Sequence, residues 1–494
     1  MHDCKKIFLF SAAIIMPLIA SCTKSPTSAS SQNAQITDMQ NRVNSVSIAV
    51  ANLRGLNFVR PVHVGVITRA QYAQNTAQSV SNSLTSVEET ALSKEYLQMG
   101  CLAETDTPVG QILTDYYSGF PAAYYVDGTD SLYILTDAYN NDTAVLNVYI
   151  SHELTHALQD QNLGMNFTIF PEYSFYNNDA YLAQTSLLEG DAMFVEYTYI
   201  ISTYNVYPSS NPYTMAKEWC LEDKDAFLTA SDTTIHPPFF LSVKGMLPYD
   251  LGETYVATLY AASSQWSAVN AHYSISSVPR SSAEVNLETA FSPWYFEFNA
   301  VHNLLLSQSP GIVYADDDNG GFALLLGLFY SQLLDTARVN RSLDWRGDRY
   351  TYVMRNGQTY GTLVWALAFS SADAANYMFS NLDKLIRSRT IGGKSPYYST
   401  VDSAADSVSQ GQGVTYTYTS SVFTTKLRRV ANQVWWLENT DTLTQPIMNL
   451  LAAQQTQTSL AKAAASPPLH LALSQTQKHT VMSSVLRHLF TKRR

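Results

Sequence analysis

The sequence predicts an α+β fold, in which a mostly helical domain with a small mixed sheet is followed by a smaller α+β segment. Three observations carry this expectation. Apolar residues recur at helical spacing through most of the first 310 positions. Two turn dipeptides, Asp127-Gly128 and Asn356-Gly357, each separate runs rich in β-forming residues. From Asp348 onward the apolar period shortens to that of strands.

Taken in order, Lys5 and Lys6 precede the apolar run Ile7 to Ile19, which is too short to span a bilayer and is built like an export signal. It closes on Leu18-Ile19-Ala20-Ser21-Cys22, which resembles a bacterial lipobox. Residues 1–21 are therefore expected to be a lipoprotein signal peptide and Cys22 the lipidated residue, the only membrane attachment implied. Thr23, where an inner-membrane retention signal often has Asp, favours the outer membrane or cell surface of a bacterial envelope. Residues 22–36 are Ser/Thr-rich and read as a tether. Helices are expected over 39–53, about 70–100, 144 to the low 160s (capped by Asp142 or Thr143), 180–203, 252–262, 284–307 and 320–337. Strands are expected at 62–67, 122–126 and 131–135. The Pro/Gly-rich stretch 236–252 reads as punctuation, and Asp316-Asp317-Asp318 as a helix-capping loop. The segment 311–440 adds strands at 350–354, 359–369, 414–418, 423–429 and 434–437 with a helix over 372–386. Residues 441–494 read as a low-complexity, disordered tail.

The chain of 494 residues carries 30 Lys+Arg against 41 Asp+Glu, a net charge of −11, and only 14 % charged residues. Soluble domains average about a quarter, so hydroxyl, amide and 32 Tyr side chains replace charge, as suits an exported surface. The acidity offers no footprint for nucleic acid, which is excluded as a partner. Once Cys4 leaves with the signal and Cys22 is lipidated, Cys101 and Cys220 remain; a disulfide and two buried thiols are both compatible with the spacing. Nothing in the sequence indicates an oligomeric state.

The chemistry concentrates in His152-Glu153-Leu154-Thr155-His156. Residues four apart share a helix face, so His152 and His156 can offer imidazoles to one metal with Glu153 beside them as general base. Two neutral nitrogens holding Zn²⁺ next to a free carboxylate is what metal-assisted hydrolysis needs. Apolar Leu154, Ala157 and Leu158 suit a buried helix, and the 131–135 run suits an edge strand beside it. Asn162 stands where a metzincin has its third His, which excludes that class. Downstream, Leu187-Leu188-Glu189-Gly190-Asp191-Ala192 offers Glu189 as the third ligand. Asp160, four residues after His156 on the same face, can orient a ligand, replace Glu189 as the third ligand, or be an exposed helix-end carboxylate, and Glu196 reads as a solvent-facing or paired side chain. Arg346-Gly347-Asp348 spells an adhesion tripeptide but continues directly into a strand.

The runs HELTHALQDQ and LLEGDA are similar to zincin metallopeptidases of the gluzincin type. They resemble most a group of bacterial and archaeal secreted or lipidated peptidases sharing HELxHALQDQ and LxEGDA. The likeness extends to Pro248-Tyr249 with Gly252, Trp266 to Asn270, Pro279 with Ser281-Ser282, and Gly347 to Tyr350 ahead of Leu363-Val364-Trp365, and so covers most of residues 50–440. It implies a zincin-like catalytic domain over 37–310, one catalytic Zn²⁺ on His152, His156 and Glu189, Glu153 as base, and a peptide or protein as substrate. Gluzincins place a ligand-orienting Asp four residues after the Glu ligand, where this chain has Met193, so Asp191 or Asp160 is expected in that role. Tyr249 and His272, with Tyr273, are candidates to stabilise the oxyanion. Two other readings stay open: a zinc-containing surface lipoprotein serving adhesion or envelope scaffolding, and a metal amidase acting on a non-peptide substrate.

Overall fold

The computed structural model describes residues 29–454 apart from 105–106, 120, 140–142, 165–177, 230–238, 264, 275, 288–295, 297, 308–310, 319–320, 322–343, 394–396, 403–412 and 421. The expected signal peptide, Cys22, the Asp142 cap, His236-Pro237-Pro238, the bulk of the 320–337 helix and the tail beyond 454 lie outside the described residues.

A helix α1, Ala29–Arg54, leads into strand β1, His63–Ile67. Helices α2 (Arg69–Ser83), α3 (Ser86–Gln98) and α4 (Val109–Ser118) follow, then the hairpin β2 (Ala123–Val126) and β3 (Ser131–Leu135). After the single turn α5, Thr136–Tyr139, comes α6, Thr143–Leu163, which carries the HExxH run. The first sheet has the order β1-β3-β2, with β1 parallel and β2 antiparallel to β3. The edge strand beside α6 is therefore β2, not the 131–135 strand. Strand order is set by the long-range β1–β3 pairing, which hairpin chemistry does not reveal.

The 26-residue helix α7, Asn178–Thr203, is buried on almost every side from 179 to 201. A helix apolar all round belongs at the centre of a bundle. Around it pack α6, α8 (Pro212–Thr229), α9 (Phe239–Asp250), α10 (Gly252–Ser263), α11 (Trp266–Ala271) and α12 (Ser282–Leu287). The α7–α10 crossing is a backbone contact. A Cβ on Gly190 would stand 2.1 Å from the Gly252 carbonyl group, and one on Gly252 would stand 2.2 Å from the Ser186 oxygen.

The second sheet is antiparallel throughout, with the order β4-β5-β6-β10-β9-β8-β7. Its strands are β4 (Ile312–Asp318), β5 (Trp345–Arg355), β6 (Thr362–Phe369), β7 (Tyr397–Asp402), β8 (Val414–Thr419), β9 (Thr424–Val430) and β10 (Gln433–Glu438). Alternate residues face opposite sides. Trp365, Leu367 and Trp436 join the core of the helical unit together with a helix over Ala372–Ser388. Val364, Ala366 and Trp435 meet Val301, Leu305, Ile447 and Leu451 of helices Asn299–Ser307 and Thr444–Gln454.

Several expectations are corrected. Residues 29–36 of the expected tether belong to α1, which holds no helix breaker there. The 70–100 helix is two, since Thr68 with Gln71 and Thr85 with Glu88 each close a capping box. The described part of the 236–252 stretch is α9, whose buried Phe240, Leu241, Val243 and Leu247 outweigh Pro248 near its end. Asp316-Asp317-Asp318 lie in β4 rather than in a capping loop. Of the 284–307 helix, the described residues show helices at Ser282–Leu287 and Asn299–Ser307, with Phe296 and Phe298 in the core of the second sheet. Residues 444–454 of the expected tail form a helix in which Ile447 and Leu451 are buried. Helices α4 and α8 and strand β7 were not anticipated. Cys101 and Cys220 are two buried free thiols. Asp348 of the adhesion tripeptide is buried, accepting from Trp365 Nε1 at 2.7 Å and Gly321 N at 2.9 Å, so it is not displayed for a receptor.

Because no flexible side-chain tip separates α7 from α10, Gly190→Ala is expected to lower unfolding stability by about 3 kcal/mol or more. Urea denaturation followed by circular dichroism checks this; a loss below about 1 kcal/mol would mean that the crossing is loosely packed.

Candidate metal centre

Two turns of α6 and one of α7 build the site. His152 and His156 project from the same face of α6, as the i, i+4 spacing requires, and Glu189 meets them from the middle of α7. Apolar burial fixes both helices: Ile150, Leu154 and Leu158 pack against the first sheet, while Leu187 and Phe194 face the bundle. His152 Nε2 lies 3.2 Å from Glu189 Oε2 and 3.2 Å from His156 Nε2, and the remaining side, His156 Nε2 to Glu189 Oε2, is 3.3 Å. All three residues are buried, and the structure brings together these three as a group able to hold a metal ion.

The outer atoms decide which tautomers face inward. Gln159 Nε2 donates to the Leu188 carbonyl at 2.9 Å, which turns its Oε1 toward His156. His156 Nδ1 must then carry the proton and donate at 2.8 Å. His152 Nδ1 donates likewise to Glu196 Oε2 at 3.1 Å. With both Nδ1 atoms protonated, the two neutral rings aim Nε2 lone pairs at each other and at a carboxylate oxygen. Such a triangle repels itself unless a proton or a metal cation lies between its corners. Tetrahedral zinc with bonds of about 2.0–2.1 Å spaces its ligands about 3.3–3.4 Å apart, close to all three sides found here. The donor set and its spacing fit such an ion.

The electrostatics point the same way. Burial works against charge on His152, but hydrogen bonds to Glu189 and Glu196 overcome it and hold its pKa up at about 10. His156 is raised despite burial by the charge of Glu189. Glu189 resists its own burial because His156 and His152 stabilise its charge, and it falls to about 2. The cluster attracts one positive charge to its centre.

Glu153, half-buried beside the first histidine, accepts the Tyr125 backbone N–H of β2 at 2.8 Å. Burial pushes its pKa up. The edge strand thus positions the carboxylate. The hairpin tip is in turn clamped to α6, where Asp160 Oδ2 accepts from the Tyr125 hydroxyl at 2.6 Å and from Gly128 N at 3.0 Å. Burial, then the neighbouring Asp160 carboxyl, lifts Asp127 to about 7.

Comparison of the chain with protein-family models, with curated proteins and with solved structures finds no match.

Both carboxylates expected to orient a ligand histidine have other partners. Asp160 holds the hairpin, and Asp191 accepts from Arg54 Nε and Nη2 at 3.1 and 2.9 Å and from the Tyr273 hydroxyl at 2.7 Å. The orienting groups are Glu196 and Gln159. Glu196 is buried rather than solvent-facing, and its signal was the interval of seven from Glu189, two helical turns on the same face. Gln159 stands three residues after His156, again one turn away. Among the oxyanion candidates, Tyr249 lies nearly parallel to His152 with ring centroids 6.0 Å apart. His272 donates from Nδ1 to the Ala268 carbonyl at 2.8 Å and meets the edge of Tyr255. Tyr273 is occupied with Asp191.

Glu196→Gln is expected to weaken binding of a divalent metal, with zinc as the probe, about 10–100-fold while leaving the fold intact. Competition with a chromophoric chelator measures this, and an unchanged affinity would remove Glu196 from the account.

Proposed function

We propose that the protein is a zinc-dependent peptidase of the zincin type, anchored to a bacterial envelope through lipidated Cys22. The observation that carries the reading is the triangle of His152 Nε2, His156 Nε2 and Glu189 Oε2, with the Glu153 carboxylate one residue from the first corner. A structural zinc site has no use for a free carboxylate held in that place, which favours this reading over the scaffolding lipoprotein.

His152, His156 and Glu189 would hold the ion, which supplies Lewis acidity toward a carbonyl and lowers the pKa of water. Glu153 removes a proton from water and returns it to the departing amine. Its raised pKa suits both halves of that shuttle, because a carboxyl that protonates readily also gives the proton up again near neutral pH. The Tyr125 N–H engages Glu153 Oε2 and so orients the other oxygen. In the antiparallel β2–β3 ladder Tyr124 pairs with Tyr133 and directs its peptide groups inward, so Ala123 and Tyr125 present theirs outward. With the Tyr125 N–H held by Glu153, the Ala123 peptide groups and the Tyr125 carbonyl are the ones an extended peptide can take up as it lies along β2 past Glu153.

Glu153→Gln is expected to retain one zinc per chain and lose at least about 100-fold in kcat on peptide libraries and casein. Chelation should abolish wild-type turnover and added zinc restore it. Stoichiometric zinc in a wild-type protein that cleaves no peptide, casein or cell-wall peptide would sink the peptidase reading.

A further inference from the structure

Beside the metal centre, the outer face of the first sheet carries a built aromatic surface. Gly65 of β1 pairs with Tyr133 of β3, and a Cβ at Gly65 would stand 2.4 Å from Tyr133 Cε1. Tyr133 therefore lies down across the glycine, an arrangement only a missing side chain permits. Tyr124 of β2 stacks on it, with centroids 5.2 Å apart and planes 14° from parallel, and Tyr72 of α2 closes the inner end at 5.2 Å. Tyr124 and Tyr133 remain partly exposed. The Tyr124 hydroxyl, however, is buried and has no hydrogen-bond partner among the described residues. What Tyr124 shows to solvent is thus its ring and not its polar end.

The position matters as much as the composition. Tyr124 precedes Tyr125, whose N–H holds Glu153, and side chains alternate along a strand. Tyr125 points to α6 and Tyr124 to the opposite face. A chain laid along the open edge of β2 places the side chain opposite Tyr124 on the same face, in contact with its ring.

We propose that Tyr124, laid on Tyr133, determines specificity by taking an aromatic or bulky aliphatic side chain of an extended peptide close to the bond that Glu153 serves. The proposal rests on the peptidase reading and names the substrate class for that site. The ring does the selecting, since the buried hydroxyl contributes nothing to a ligand. A charged or small side chain at that position gains no contact.

The test uses the zinc-loaded full chain. Cleavage sites of the wild type, Tyr124→Phe and Tyr124→Ala in a peptide library are read by mass spectrometry. In parallel, Glu153→Gln, alone and combined with each Tyr124 variant, is titrated with two labelled peptides that differ only by Phe or Ser at the selected position. Where the wild type cleaves nothing, pairs placing Phe or Ser at each position in turn are titrated. Wild type and Tyr124→Phe are expected to favour aromatic and large aliphatic residues at one position about 10–100-fold, and Tyr124→Ala to lose that preference while keeping its zinc and melting temperature. An unchanged preference in Tyr124→Ala, or its loss in Tyr124→Phe as well, would overturn the shelf and leave the peptidase standing. No cleavage by the wild type would overturn the peptidase reading, and the binding ratio of the Phe and Ser peptides would then decide the shelf alone: a ratio near one refutes it.

Discussion

Three consecutive residues of the buried helix α7 leave its axis about 100° apart, and each is answered by a different neighbour. Glu189 turns to the two histidines of α6, Gly190 to the backbone of Gly252, and Asp191 to Arg54 of α1. None can be moved alone. The glycine sets how closely α10 approaches, and the Arg54–Asp191 pair, fully buried at 2.8 Å, ties the first helix to the same turn. Breaking such a pair by removing one partner costs about 3–5 kcal/mol, because the other charge stays behind in the interior. Trp266 reinforces the link by donating from Nε1 to the Leu53 carbonyl while its ring lies 4.1 Å beneath the Arg54 guanidinium. The depth of the metal centre follows from this packing.

Within that frame the chemistry depends on protons being placed before any ligand arrives. Gln159 and Glu196 fix both histidines with their lone pairs inward, and the Tyr125 amide fixes Glu153. Helix and sheet thus contribute to one corner of the candidate site. The helix supplies ligands at i, i+4 spacing, and the edge strand supplies the hydrogen bond that keeps the neighbouring carboxylate beside them. Asp160 connects the two by holding the hairpin to α6. A chain with only 14 % charged residues has concentrated several of them here, and His152, Glu153, His156, Asp160, Glu189 and Glu196 each have a hydrogen-bonding partner, as a low-dielectric interior demands.

The parts of this arrangement legible from sequence were the local ones. The interval between His152 and His156 is a helix period, the Asp127-Gly128 and Asn356-Gly357 dipeptides name their own turns, and α6 and α7 are marked by long apolar runs. The reading of Glu189 leaned on its distance from the histidines and on a resemblance, and the structure places it against them. What failed was non-local or needed competing forces weighed. The identity of the edge strand depends on β1 inserting beside β3. Pro248 argues for a loop until the burial of its helix is known. Asp316, Asp317 and Asp318 look like loop residues until β5 is seen to pair with them. Asp160 and Asp191 were drawn toward the histidines because they are near in sequence, whereas Arg54, 137 positions from Asp191, could not be seen as its partner.

Anomalous X-ray diffraction from crystals of the zinc-loaded protein, recorded on both sides of the zinc absorption edge, tests the central claim most directly. The account predicts one strong anomalous peak within about 2.0–2.2 Å of His152 Nε2, His156 Nε2 and a Glu189 oxygen, with Glu196 on the far side of His152 and not bonded to the ion. A peak ligated by Asp160 or Glu196 in place of Glu189, or no peak at this position, would contradict it.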